Sequence, residues 1–410
     1  MNRPSRWYAV FVLWTAVAIG TSAQEFNLLH QFQGPDGGYP WYMSLVQGID
    51  GNLFGTTELG GHLGGECGNG CGTAFQITLS GKLTSLHLPP SNTEPVAGLA
   101  LATDGNFYGT SAESVFVLTR GGKLTLYNFC SQPNCTDGNE PIAGLVQATD
   151  GYFYGTTSGG GNSNDGTVFK IDTSGTLITL HSFDGSDGTA PTGWLVEASD
   201  GDFYGTTAEG GGLKGGTIFK MTPAGSLTTL YTFGSQPGDG AFPYAGLVQG
   251  TNGDFYGTAY TLGQYGGGTV FEITPAGTMT TLHAFQGADG WDPLGGLIQA
   301  TDGNFYGTTV EGGDCYGGLG CGTVFAISTG LDPFVSFVRN PAKIGQSFGV
   351  LGQGFTGTTS VLLNGTPASF AVVSDTFIRA TVPVGATTGY VTVTTPTGTL
   401  TSNVPFRVIK

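Results

Sequence analysis

Charge is what this sequence has least of. Only 10% of its 410 residues are charged, and 13 Lys/Arg stand against 29 Asp/Glu. So few cations argue against nucleic acid or an anionic membrane as partner, because phosphates are neutralised by clustered Lys and Arg. Histidine is scarce, at five residues, and no G-x-S-x-G, H-E-x-x-H or P-loop pattern occurs. The chain therefore lacks the recognisable signatures of serine-hydrolase, zinc-protease and nucleotide chemistry. After the first two dozen residues there is no apolar run long enough to span a bilayer. What is abundant is glycine (74 residues) and aromatic side chains (12%). That balance suits many short strands joined by tight turns, not a helical or disordered chain.

The chain is long enough for two or three domains. Its first 23 residues read as an export signal. Arg3 and Arg6 precede an apolar run from Trp7 to Ile19, and Gly20-Thr21-Ser22-Ala23 supplies small residues for cleavage. The mature protein is expected to be secreted or held at the cell surface, and not to span the membrane. Between residues 24 and 332 six Lys/Arg face 28 Asp/Glu, a net charge of −22; from Pro333 onward the net is +4. So acidic a body leaves cations, neutral sugars and proteins as partners.

Asp-Gly-Asn-Phe-Tyr-Gly-Thr and close variants of it begin at Asp50, Asp104, Asp150, Asp200, Asn252 and Asp302, about fifty residues apart. Each Asp-Gly or Asn-Gly pair between apolar runs signals a hairpin, since glycine accepts φ > 0 without steric cost. The third copy reads as four strands: a, 143–148; b, 152–157; c, 166–171; d, 176–183. Four antiparallel strands repeated six times predict a six-bladed β-propeller over residues 24–332. The sixth unit lacks its own strand d, while Phe26–Phe32 before the first unit carries the d pattern. This N-terminal strand is therefore expected to complete the last blade and close the ring, removing an open sheet edge.

In such a ring the d–a and b–c loops share one face, and the a–b and c–d turns share the other. The units carrying D-G-N-F-Y-G-T-T, G-T-V-F-K-I and T-L-T-T-L-Y-T-F resemble the GloVer tandem repeat of bacterial exported proteins over residues 25–329. That resemblance implies varied surface proteins with no catalytic activity assigned to the class. Residues 333–410, rich in Val, Thr and Gly, read as a small β-sandwich. Gly352-Gln353-Gly354-Phe355, Val361-Leu362-Leu363-Asn364-Gly365 and Ala380-Thr381-Val382-Pro383 resemble an IPT/TIG module. The resemblance implies an immunoglobulin-like spacer or adhesion unit.

Six cysteines fall in three close pairs, Cys67/Cys71, Cys130/Cys135 and Cys315/Cys321. In an exported chain each pair is expected to form a disulfide; a zinc site drawn from the first and third pairs is the alternative. His30, His87, His181 and His283 share one slot in strand d, filled by Tyr127 and Tyr231 in other copies, so they read as packing residues with a polar tip. His62 alone falls outside the repeat. The d–a loops read Asp-Gly-x-x-Pro, beginning at Asp36, Asp137, Asp187, Asp239 and Asp289. These aspartates either build their own turns or supply a Ca²⁺ site; no other cofactor is implied. Glu58, Glu209 and Glu311 end three b strands toward the same face, with nothing to pair them.

Tyr39, Trp41, Tyr42, Tyr244 and Trp291 depart from the repeat on the loop face. Exposed rings beside acidic and amide groups suit stacking against sugars, and packing between blades is the rival explanation. Trp194 stands where other copies have Gly before Leu and is expected to fill the channel. The reading reached from sequence is an exported, non-catalytic binding or adhesion protein that engages glycan or protein through its loop face. A polysaccharide- or lactone-directed hydrolase or lyase, and a purely structural surface protein, are the other two.

Overall fold

The computed structural model describes residues 24–41, 44–61, 72–86, 99–104, 106–119, 122–313, 321–338 and 340–409. The expected export signal, Tyr42, His62, Cys67, Cys71, His87 and Cys315 lie outside them. Apart from one 3₁₀ turn at Pro133–Cys135, every regular element in the described residues is a strand. None of the described helices is long and apolar enough to cross a membrane.

Six four-stranded antiparallel sheets, with the meander order of a β-propeller, occupy the chain up to Ser328. The third is representative: Val146–Gln147, Phe153–Thr157, Thr167–Ile171 and Leu177–Ser182 lie side by side in chain order. The innermost strand is shorter than the six residues the sequence suggests. Its first half bonds sideways instead. The carbonyls of Ala143, Gly193, Ala245 and Gly295 accept the hydroxyls of Thr110, Thr156, Thr206 and Thr258 from the preceding sheet. Those carbonyls are thereby taken from the ladder and spent on joining neighbours.

The recurring heptad is explained residue by residue. Asp150 accepts the Tyr152 N–H at 3.1 Å and the Tyr154 hydroxyl at 2.8 Å, which fixes the hairpin. The Tyr154 ring then stacks on Phe203 of the next sheet, centroids 4.0 Å apart, as do Tyr108 on Phe153, Tyr204 on Phe255 and Tyr256 on Phe305. A side chain at Gly155 would place its Cβ 2.7 Å from the Phe169 ring, so only glycine fits. Thr157 and Thr167 close the buried end of the hairpin with a 2.8 Å hydroxyl contact. The motif's aspartate, second tyrosine, second glycine and threonine all serve the scaffold.

A belt of side-chain amides also runs from sheet to sheet near the hairpins. Gln147 accepts the Thr103 N–H of the preceding sheet, Glu197 that of Thr149, Gln249 that of Ser199 and Gln299 that of Thr251. Gln47 of the first sheet accepts Thr301 N–H of the last at 3.0 Å. In the last sheet the order is Glu25–Gln31, Thr323–Ser328, Phe305–Thr309, Ile298–Gln299. The N-terminal strand pairs antiparallel from Glu25 opposite Ser328 to Gln31 opposite Thr323. Phe32, fully buried, then joins the core of the first sheet with Leu45, Leu53 and Phe75.

Beyond Pro333 two further four-stranded sheets form. Ser336–Phe337, Ser347–Leu351, Phe377–Thr381 and Phe370–Ser374 make one; Thr366–Pro367, Ser360–Leu363, Val391–Thr395 and Gly398–Thr401 make the other. Phe348, Val350, Phe355, Ile378, Val393 and Phe406 are part of a core that belongs to this unit alone.

Candidate functional site

The d–a loops hold most of the residues singled out by sequence. Each loop aspartate is tied to the strand that delivers it. His30, His181 and His283 meet Asp36, Asp187 and Asp289 at 2.8, 2.7 and 2.9 Å, while the Tyr127 and Tyr231 hydroxyls reach Asp137 and Asp239 at 2.8 and 2.7 Å. The His/Tyr slot thus supplies one donor of equal reach in each unit. Backbone N–H groups of Gln33, Ser131, Asp184, Gln236 and Gln286 bond the same carboxylates. Burial pushes the Asp36 carboxyl up, but the His30 and Gln33 hydrogen bonds outweigh it and hold it below the usual range. Asp137 is held low in the same way by Tyr127 and Ser131.

Each carboxylate is thus engaged within its own loop. The five aspartates are separate loop staples, and among the described residues no group of three or more His, Cys, Asp or Glu is placed to hold a metal. Cys130 and Cys135 are joined in a disulfide within one loop. Cys321 is also disulfide-bonded, which removes it as a thiolate for the alternative zinc site.

The loops differ at one slot. The residue before each loop proline is Tyr39, Glu140, Ala190, Phe242 or Asp292, and all five sit at positive φ, between 52° and 61°. Left-handed backbone is costly for such residues, and at Tyr39, Ala190, Phe242 and Asp292 it persists because both the N–H and the carbonyl are committed. Asp292 N–H bonds the Gly267 carbonyl at 3.0 Å, and its own carbonyl accepts Val310 N–H at 3.0 Å. The same pair of bonds holds Tyr39 to Cys321 and Glu58, and Phe242 to Gly215 and Tyr260. A fixed backbone therefore presents a different side chain in every loop.

At the seam of the fifth, sixth and first sheets this slot gathers a chemical cluster. The Tyr260 hydroxyl hydrogen-bonds Asp292, and the Tyr260 ring meets Tyr244 edge-on with centroids 5.5 Å apart. Burial pushes the Asp292 carboxyl up to about 6; the Tyr260 hydrogen bond opposes that and the nearby negative charge of Glu311 adds to it. Tyr260 is pushed up to about 12 by burial and by Asp292. Tyr39 is raised by burial and by Glu311, and Tyr244 by burial and by Glu209. Glu311 is held in place by paired backbone bonds to Trp291 at 2.8 and 3.0 Å.

Of the aromatics singled out by sequence, Tyr39 and Tyr244 enter this cluster. Trp41, two residues after Tyr39 in the chain, stands 47% exposed. Trp291 does not join it: its ring lies on Gly267, where an added Cβ would be 3.0 Å away, so it packs on the loop of the fifth sheet. Tyr260 and Asp292 are members that sequence reasoning missed, and Glu311, placed on this face by the sequence without a partner, finds one here. The signal was the variable residue before proline. Trp194 lies across the converging inner strands; a Cβ on Gly296, two sheets away, would fall 2.3 Å from its ring and 2.9 Å from Ser44 Oγ.

Fold and loops together define a repeat-built β-propeller whose repeated positions are structural and whose loop slot varies. The chain belongs to the Gloeobacter/Verrucomicrobia repeat family, whose model matches residues 113–325 and 235–354. No curated protein sequence matches it. Similar solved structures include a luciferin-regenerating enzyme (13% identity, 76% of this chain and 98% of that one, TM-score 0.47). A gluconolactonase from Xanthomonas campestris (12%, 76% and 92%, TM-score 0.44) and an auxiliary nutrient binding protein from Bacteroides ovatus (13%, 74% and 76%, TM-score 0.44) are others. Likeness at this level carries no functional argument, and a shared fold does not fix activity.

Proposed function

We propose that this is an exported, non-catalytic binding protein that takes a glycan or protein ligand on its loop face, at the seam of the fifth, sixth and first sheets. The observation that carries the reading is the pre-proline slot: a rigid positive-φ backbone that presents Tyr39, Phe242 and Asp292 as differing side chains from one frame. Rings at Tyr39, Tyr244, Tyr260 and Trp41 offer stacking faces, and Asp292 and Glu311 offer hydrogen-bond acceptors, the mixture that sugar rings require.

The frame itself we read as six blades in one ring over residues 24–332, closed without a covalent joint by Glu25–Gln31 and by the Thr301–Gln47 bond. Residues 333–410 we read as an immunoglobulin-like IPT/TIG unit, and residues 1–23 as a cleaved export signal that places the protein outside the cell or on its surface.

A glycan array probed with the mature protein tests the binding site. Loss of signal in Tyr260→Phe and Trp41→Ala supports it, and full binding by both variants moves the site elsewhere. A second reading, a lactone- or polysaccharide-directed hydrolase or lyase, is favoured by one observation: Asp292 keeps its proton to about pH 6 beside the carboxylate of Glu311, a poise suited to general acid–base work. Turnover of an array glycan or a sugar lactone that disappears in Asp292→Asn would select this reading over simple binding.

A further inference from the structure

The turn face of the ring, opposite the loop cluster, meets the C-terminal unit at hairpins far apart in the chain. Arg407 reaches two sheets at once: Nη1 donates to the Ala148 carbonyl at 3.3 Å and Nη2 to Glu197 Oε2 at 3.2 Å. On the first hairpin, Thr376 Oγ1 donates to the Ile49 carbonyl at 3.1 Å. On the sixth, Phe334 N–H donates to the Thr301 carbonyl at 3.1 Å. Thr301 is 1% exposed, whereas Thr149, Ser199 and Thr251 at the matching hairpin positions are open to solvent.

Glu197 is also the one carboxylate in the amide belt. Gln47, Gln147, Gln249 and Gln299 each donate an amide N–H to a glycine carbonyl of their own hairpin. Glu197 has no N–H to give. It keeps the acceptor half of the belt through Thr149 N–H, at 2.9 Å to Oε1 and 3.1 Å to Oε2, and shares Oε2 with Arg407. Side-chain exposures of 25% for Arg407 and 13% for Glu197 place the pair partly out of water, where attraction is less screened. The net charges of −22 and +4 on the two parts favour the same association over longer range.

We propose that the C-terminal unit is a lid across the turn-side mouth of the ring, latched by Arg407 on Glu197, so that ligand reaches the ring from the loop face alone. A body that touches the first, third, fourth and sixth hairpins of a six-membered ring must cross its axis; the lid thus rests on the six-bladed ring proposed above. Function and fold meet here: the departure from the repeat on the turn face recruits the chain's own second unit, and the departures on the loop face are left for a foreign ligand.

Limited proteolysis of the full-length mature protein tests the latch, since cleavage reports the population of the open form when opening is fast. Cuts between Ser328 and Phe334 release the lid, whereas cuts inside the sheets report failure of the ring, so the two ideas fail separately. Arg407→Glu is expected to speed release of the lid by roughly fivefold, the scale of a partly exposed ion pair. Glu197→Gln, which keeps the belt bond and removes only the charge, must move in the same direction as Arg407→Glu. Equal rates for wild type and Glu197→Gln, or for wild type and Arg407→Glu, overturn the latch.

Discussion

Phe32 offers a direct measure of whether the N-terminal strand holds the ring shut. It is fully buried, it follows the strand paired to Thr323–Ser328, and its ring meets Phe75 of the first sheet edge-on at 5.2 Å. Phe183 occupies the same place in a unit whose strands are continuous in the chain, against Phe219 at 5.4 Å. Truncating either to alanine removes a buried ring and should cost about 3–5 kcal/mol. With unfolding entropy of about 2.1 cal/mol/K per residue over roughly 300 residues, 4 kcal/mol corresponds to a fall of about 6 °C in Tm. The two variants should therefore melt alike but exchange differently. In Phe32→Ala the terminal strand can peel away without unfolding anything else, so amides of Thr323–Ser328 should lose protection selectively. In Phe183→Ala the strand is held at both ends, and no such local loss is expected. Hydrogen-exchange mass spectrometry resolves the difference. If Phe32→Ala melts like the wild type, or leaves Thr323–Ser328 as protected as before, the strand does not hold the ring shut.

Three further outcomes follow from the same contacts. Gln47→Leu should destabilise by about 1–3 kcal/mol, because the Thr301 N–H loses its acceptor; an unchanged denaturant midpoint would show the belt to be dispensable. Asp292 has a folded value near 6, above its unfolded value, so folding favours the protonated acid. Its contribution is present near pH 4 and is lost as pH rises through about 6, worth about 1 kcal/mol after solvent screening. Asp292→Asn should accordingly raise Tm at pH 7.5 and not at pH 4, read from melts across that range. Replacing Cys130 and Cys135 by serine should cost about 2 kcal/mol through loop entropy, with mass spectrometry without reduction confirming the bond in the parent protein.

The repeat was legible because a hairpin is a local object. Asp150, Gly151, Tyr154 and Gly155 specify turn, stacking and close packing within a few residues, and six near-copies make the pattern plain. The short innermost strands were not legible, since the hydroxyls that draw Ala143 and Gly193 out of the ladder come from a neighbouring sheet. The loop aspartates show the same limit. Their partners, His30 or Tyr127, lie 6 and 10 residues away, and only the geometry decides between a staple and a metal ligand.

By itself the sequence determined the all-β class, the period, the sites of the turns and the N-terminal segment that matches strand d, because all of these rest on side-chain alternation and on backbone φ that glycine or proline alone supplies. Tertiary structure decided where the departures from the repeat meet. Asp292, Tyr260 and Glu311 stand far apart in their motifs and become one site because strands of adjacent sheets end on the same face. Arg407 and Glu197 are 210 residues apart and pair because the second unit sits on the turns of the first. Contacts of that kind depend on how sheets are placed in space, and no local pattern records it.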